Sequence, residues 1–246
     1  MRTGGTSAMT PQALDERLEF MDAIITVSLE SESGDASLSV LKKEFDPALD
    51  IFSQILLHPV FAPDRITIAK EQKISALRQT DDNPQSLAFR KFKKLLYKNN
   101  PLGNLPTMSS MKAIRREDLI TFHKAFFSPD RIILGVSGDF SSPEMINKIK
   151  QKFAGWKPSP RALPNIQKPQ DSAAQPMFYL QKDVPQATII LGQLAPSKAS
   201  PDYYAFEVLN YMLGGGGFSS RLTSEIRSNR GLAYSVGSFY RAAVDY

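Results

Sequence analysis

The sequence predicts an α+β fold in which helices cover one face of a largely antiparallel sheet, and three observations carry that prediction. Near the N-terminus two short alternating stretches flank a turn. A helix with a regular apolar stripe follows them, and strand-like and helix-like segments then succeed one another as in layered α+β domains.

Met1 to Thr6 (MRTGGT) reads as a turn-forming entry. Thr10-Pro11 then starts a helix, with Thr10 as cap, Pro11 in the first turn and Leu14, Leu18 and Met21 along one face. Ile25, Val27 and Leu29 alternate with polar neighbours, and after the turn Ser33-Gly34-Asp35 come Leu38 and Val40, which predicts an antiparallel hairpin with one covered face. Phe45, Leu49, Phe52 and Leu56 mark an amphipathic helix ending near His58-Pro59. A second helix is expected from about Pro63 to Thr80, broken at Asp81-Asp82-Asn83-Pro84.

The next helix, to Tyr97, holds the densest basic run, Arg90, Lys91, Lys93, Lys94 and Lys98. Ala88, Phe92, Leu95 and Leu96 recur within it at helical spacing, so it reads as the wet side of an amphipathic helix rather than a nucleic-acid groove. After a loop at Asn99 to Gly103, short helices are expected at Ser109 to Ile114 and Arg116 to Phe126. A strand follows over Ile132, Leu134 and Val136, then a capping-box helix start at Ser141-Ser142-Pro143-Glu144 with Met145, Ile149 and Phe153 buried behind it. Prolines 158, 160, 164, 169 and 176 among polar residues indicate an extended linker. We therefore expect a first domain over 1–157, a linker over 158–176 and the start of a second domain over 177–246. Within the latter, Phe178 to Lys182 and Ala187 to Leu194 read as strands, and Ala205, Val208, Leu209 and Met212 as a helix.

Composition bounds the function without choosing it. The chain has 246 residues, 42% of them hydrophobic, enough for a packed core, and no run approaches the length of a membrane span. The absence of cysteine excludes disulfides, thiolate ligands and a cysteine nucleophile. A net charge of +5 from 30 basic and 25 acidic residues bears on solubility and steering more than on identity.

Chemistry concentrates in Leu213 to Tyr240. Gly214 to Gly217 permit a tight turn and a close approach by another backbone or a ligand. Ser219 or Ser220 is a candidate N-cap, Leu222 and Ile226 follow at helical spacing, and Gly231 stands where the helix should end. Tyr234, Val236 and Ser238 then alternate as a strand. Arg227 leaves the last helical turn and Tyr234 opens the strand, so both can point into one space, and both donate well to a carbonyl oxygen. On residue types alone, a solvated helix-end cation and a half-buried strand tyrosine would also fit.

The run GGGGFSSRLTSEIRSNRGLAYSV resembles the C-terminal-half signature of the pitrilysin/insulinase family of zinc metallopeptidases, which includes the mitochondrial processing peptidases. The resemblance implies a duplicated α+β domain. It also implies that Arg227 and Tyr234 hold the substrate backbone, with Gly215, Gly216, Gly217 and Phe218 beside them in the substrate-binding site. Active members carry an inverted zinc motif, His-x-x-Glu-His, with a third ligand from a later helix. No such motif is present here, and the two histidines, His58 and His123, are not paired in sequence. MRTGGT resembles the segment that follows the motif, so the first domain is expected to lack its N-terminal strand and metal-motif helix. The third ligand lies eight residues before the proline of an Asp-Asn-Pro-like helix end. Counted back from Pro84 that place is Ala76, and a gapped alignment pairing Glu71 with an upstream family acid puts Arg78 there instead. Neither supplies a carboxylate.

These readings converge on an expectation. The chain is a non-catalytic, substrate-holding subunit with no metal or cofactor of its own. Zinc sits in a partner subunit of the same family, in a heterodimer, or the chain forms a homodimer. The chain is expected to be an internal fragment with an unpaired sheet edge, any signal peptide lying upstream, and both the bacterial envelope or periplasm and the cytoplasm stay open. Three alternatives stand beside this: an active zinc endopeptidase whose motif lies upstream, a structural or assembly subunit, and a glycine-loop phosphate binder. The last lacks the P-loop Lys-Ser/Thr, because Phe218 and Ser219 follow the final glycine.

Overall fold

The computed structural model describes residues 1–30, 33–165, 167–170 and 177–243. In chain order its elements are α1 (Pro11–Phe20), β1 (Ile24–Leu29), β2 (Gly34–Ser39), α2 (Phe45–Leu57), α3 (Pro63–Asp82), α4 (Pro84–Leu96), α5 (Met108–Ala113), α6 (Arg116–Phe126), α7 (Ser142–Phe153) and α8 (Tyr203–Asn210), with short 3₁₀ and π turns between them. The fold class is α+β. By spatial proximity the chain divides into two units, Met1–Asp82 with Pro106–Asn165, and Asn83–Leu105 with Ile166–Tyr246.

The first unit is built around α2. Its buried residues, Ala48, Leu49, Ile51, Phe52, Ile55 and Leu56, form a wider face than the expected stripe and share one cluster with Leu14, Leu18 and Met21 of the α1 region and Ile25 of β1. Helix α1 begins as its sequence dictates: the Thr10 hydroxyl accepts from the Ala13 N–H, and Pro11 occupies the first turn. Strands β1 and β2 pair antiparallel with Ile25 opposite Leu38 and Val27 opposite Ala36, which turns Ile25, Val27 and Leu38 toward the core. Leu29 was expected on the covered face but is 60% exposed, because it ends the ladder opposite Gly34, which has no side chain to cover it.

The C-terminal end of α2 leaves carbonyls that its own helix cannot satisfy, and α6 supplies donors to this region. His123 Nε2 lies 2.7 Å from the Leu56 oxygen, and Arg116 donates to the Val60 and Phe61 oxygens at 2.8 and 3.0 Å. A carbonyl only accepts, so the proton is on Nε2. Rings of Phe61 and Phe127 pack against this imidazole. Burial holds His123 below the ordinary histidine range, against the raising effect of the Leu56 hydrogen bond and with the N-terminal amine, His58 and Lys124 adding repulsion. The unfolded chain therefore binds a proton that the folded one refuses, so stability falls as pH drops below about 6.5 toward the depressed value. Trp156, the single tryptophan, lies in this unit against Phe153. Urea midpoints followed by its fluorescence should decline over that interval, and His123→Gln should flatten the decline.

Several sequence expectations need correcting. Ser141 caps α7 without a side-chain hydrogen bond, so the expected capping box there is absent, while Thr107 and Ser110 form one at α5. The sheet is smaller than expected: among the described residues β1 and β2 form the one ladder, beside an isolated antiparallel bridge between Thr6 and Pro59, and the stretches at 132–136, 178–182, 187–194 and 234–239 carry none. A strand exists only where a neighbour takes its N–H and C=O groups. Here Ile133 and Leu191 are 100% and 95% exposed. The expected linker lies partly outside the described residues, as do Val244 to Tyr246.

In the second unit Asn83 caps α4, its side chain accepting from Ser86 N–H at 2.8 Å, and Phe89 of α4 meets Phe239. Helix α8 turns a different face inward than its apolar pattern suggested. Tyr203 and Phe206 pack on Tyr240, while Val208, Leu209 and Met212 are exposed. Among the described residues no helix is long and apolar enough to cross a membrane.

Candidate functional site

The site is a corner in the second unit, where α8 runs into the glycines, turns into a second helical stretch and returns as the segment carrying Tyr234. Helix α8 continues as a π turn over Tyr211–Gly215, and a 3₁₀ turn over Gly217–Ser219 follows. Gly217 has φ 65°, the left-handed region that glycine enters without steric cost. Gly214 serves a different purpose. A Cβ placed on it would stand 2.4 Å from the Ser238 nitrogen and 2.8 Å from the Gly237 carbonyl carbon, so this glycine lets the returning segment lie directly against the helix end. Gly215 and Gly216 face Asn210 and Tyr211 of their own helix, and Gly217 opens onto free space.

Hydroxyls fasten the corner. Ser220 is buried, with extended backbone at the start of the next helical stretch, and its carbonyl accepts from the Ser224 N–H. Its side chain does not cap a backbone N–H as expected. Its single proton is shared between the Gly217 oxygen at 2.7 Å and Thr223 Oγ1 at 3.0 Å, and Thr223 donates its own to the Val236 oxygen at 3.4 Å. Ser238 Oγ donates to Asn210 Oδ1 at 2.8 Å. The sequence reading missed the Ser220–Thr223–Val236 relay and the Gly214–Ser238 contact. The glycine run signalled that a backbone could come close but not which one, and the relay was signalled only by small polar residues at 220 and 223.

Arg227 lies in a π-helical turn, Thr223–Asn229, that closes at Gly231 (φ 61°), whose N–H bonds the Arg227 oxygen. π turns place a side chain at an angle a regular helix would not. The Arg227 Cζ stands 4.8 Å from the ring centroid of Phe218 and 4.8 Å from that of Tyr234, both within cation–π range. The structure thus brings three of the expected residues, Arg227, Tyr234 and Phe218, together, and places Gly217 in the turn just before Phe218. Gly215 and Gly216 stay with their own helix. Tyr234 is 82% exposed, contrary to a half-buried strand residue. Among the described residues nothing hydrogen-bonds or ion-pairs the half-buried Arg227 guanidinium, so its fork of donors is available to an incoming acceptor.

Against this geometry the comparisons are decisive for the family. The model described as "Peptidase M16 inactive domain" matches residues 113–246, and that for "Insulinase (Peptidase family M16)" matches residues 1–109. The chain belongs to the insulinase, or M16 peptidase, family. Among its M16 relatives, an uncharacterized zinc protease of Mycobacterium leprae is 29% identical over 81% of this chain and 45% of that protein. The uncharacterized zinc protease YmxG of Bacillus subtilis is 24% identical over 98% of this chain and 58% of its own length. The chain therefore spans about half the length of the curated relatives it matches. A crystal structure of a peptidase M16 inactive domain from Pseudomonas fluorescens superposes with TM-score 0.82 at 26% identity, covering 98% of this chain and 59% of that one. A protease from Helicobacter pylori, 18% identical, shares the fold with TM-score 0.75 over 99% of this chain and 60% of its own.

M16 peptidases of the zinc type need clustered imidazole and carboxylate ligands. Among the described residues no three His, Asp or Glu side chains gather. His123 is engaged with the Leu56 oxygen, His58 is exposed, and Ala76 sits on an exposed turn of α3. Among the described residues, then, no such ligand set is assembled.

Proposed function

We propose that this chain is the substrate-holding, non-catalytic part of an M16 peptidase, gripping an extended peptide through Arg227 and Tyr234 while a partner subunit of the same family carries the zinc. One observation carries the reading: a guanidinium beside two rings, with no hydrogen-bond or ion-pair partner among the described residues, next to an exposed phenol. In that arrangement the fork donates to backbone carbonyls of the peptide and the Tyr234 hydroxyl adds a further donor. Such bonds raise the rate to the extent that they strengthen as the peptide reaches the transition state.

The test mixes the full-length protein with a zinc-bearing M16 subunit and a fluorogenic peptide. Tyr234→Phe keeps the ring beside Arg227 and removes only the hydroxyl, so kcat/KM should fall by about five- to tenfold, the value of one hydrogen bond of ordinary strength. Unchanged cleavage by this variant and by Arg227→Ala would leave an assembly role in its place.

A further inference from the structure

The proposed grip depends on where the Arg227 guanidinium is held, and a second ring lies as close to it as Tyr234 does. We infer that Phe218 is a positioning residue for Arg227: its ring holds the cation by a cation–π contact, keeping the N–H edges turned to the peptide. This rests on the substrate-holding reading above.

Arginine has a long, flexible side chain, and left alone it samples many rotamers. Here the restraints on its head group among the described residues are two rings, each centred 4.8 Å from Cζ. A guanidinium attracted to ring faces keeps its in-plane N–H groups for acceptors.

The backbone of Phe218 is itself fixed. Gly217, with its positive φ, turns the chain just before it, Ser219 Oγ donates to the Gly216 oxygen at 3.2 Å, and Ser224 Oγ reaches the Phe218 oxygen at 3.5 Å. A ring 73% exposed on so tethered a turn has little apolar packing to explain it, and the cation beside it does.

A plain apolar contact with the peptide would be served as well by leucine, whereas a cation–π contact needs a ring and is strongest with indole. The measurement is again kcat/KM of the full-length protein with a zinc-bearing M16 subunit. Phe218→Leu should lower it by about two- to fivefold, and Phe218→Trp should match or exceed the unsubstituted protein. In an Arg227→Ala background Phe218→Leu should have no further effect, because the two residues act as one unit. If Phe218→Leu is silent, or costs as much without Arg227 as with it, the positioning role is overturned while the grip itself stands. If Arg227→Ala is silent, both readings fall together.

Discussion

Shortening Ile55 to alanine should destabilise the first unit by about 2–5 kcal/mol. Ile55 is 0% exposed in the last turn of α2 and belongs to the cluster formed with Leu14, Leu18, Met21 and Ile25. The substitution removes three carbon atoms from a site walled by α1, β1 and the rest of α2. Regular helices and a paired strand cannot readily collapse into the space left, so a cavity cost adds to the lost burial. Urea unfolding followed by Trp156 fluorescence reads this unit directly, and Ile133→Ala is the control. That side chain is fully exposed, and its loss should change stability by no more than about 0.5 kcal/mol. Equal effects from both would mean that α2 is not the centre of the core.

Arg227→Ala should leave that transition where it is and lower kcat/KM for peptide cleavage by about 10- to 150-fold, the value of charge-assisted hydrogen bonds of about 1.5–3 kcal/mol. Its guanidinium makes no hydrogen bond within the described residues, so removing it deprives the protein of little internal structure. Arg227→Lys retains the charge but not the planar fork, and should fall between the two. The assay is the reconstituted pair used for Tyr234→Phe, with KM and kcat separated. A loss confined to KM would mark an interaction equal in ground and transition states, and a loss in kcat one that grows on the way to the transition state. Cleavage unaffected by Arg227→Ala would overturn the proposed grip.

What the sequence disclosed, and what it hid, follows the range of the interactions. The helix start at Thr10-Pro11 was legible because cap and proline act within one turn, whereas Asn83-Pro84 was read only as the break after α3 and in fact also caps α4. The hairpin was legible because Ile25 and Leu38 lie on adjoining stretches. Later strands were not, since alternation shows which residues suit a strand and says nothing of the neighbour it must pair with. The inward face of α8 was missed for a related reason. Tyr203 and Phe206 are selected by Tyr240, more than thirty residues on, and the local pattern of Val208, Leu209 and Met212 carries no trace of it. The meeting of Arg227 and Tyr234 was legible in the turn at Gly231, while their proposed role came only from family likeness. The Phe218 contact was not, because it spans nine residues through a left-handed glycine and a π turn, neither of which periodicity reports.

The meeting of Gly214 with Gly237 and Ser238 joins main chain to main chain. A junction made this way depends on peptide geometry, which all sequences share, and so the residues around it are free to diversify without moving the grip. The constraint gathers on one α-carbon, where even a methyl group would push the helix end and the returning segment apart.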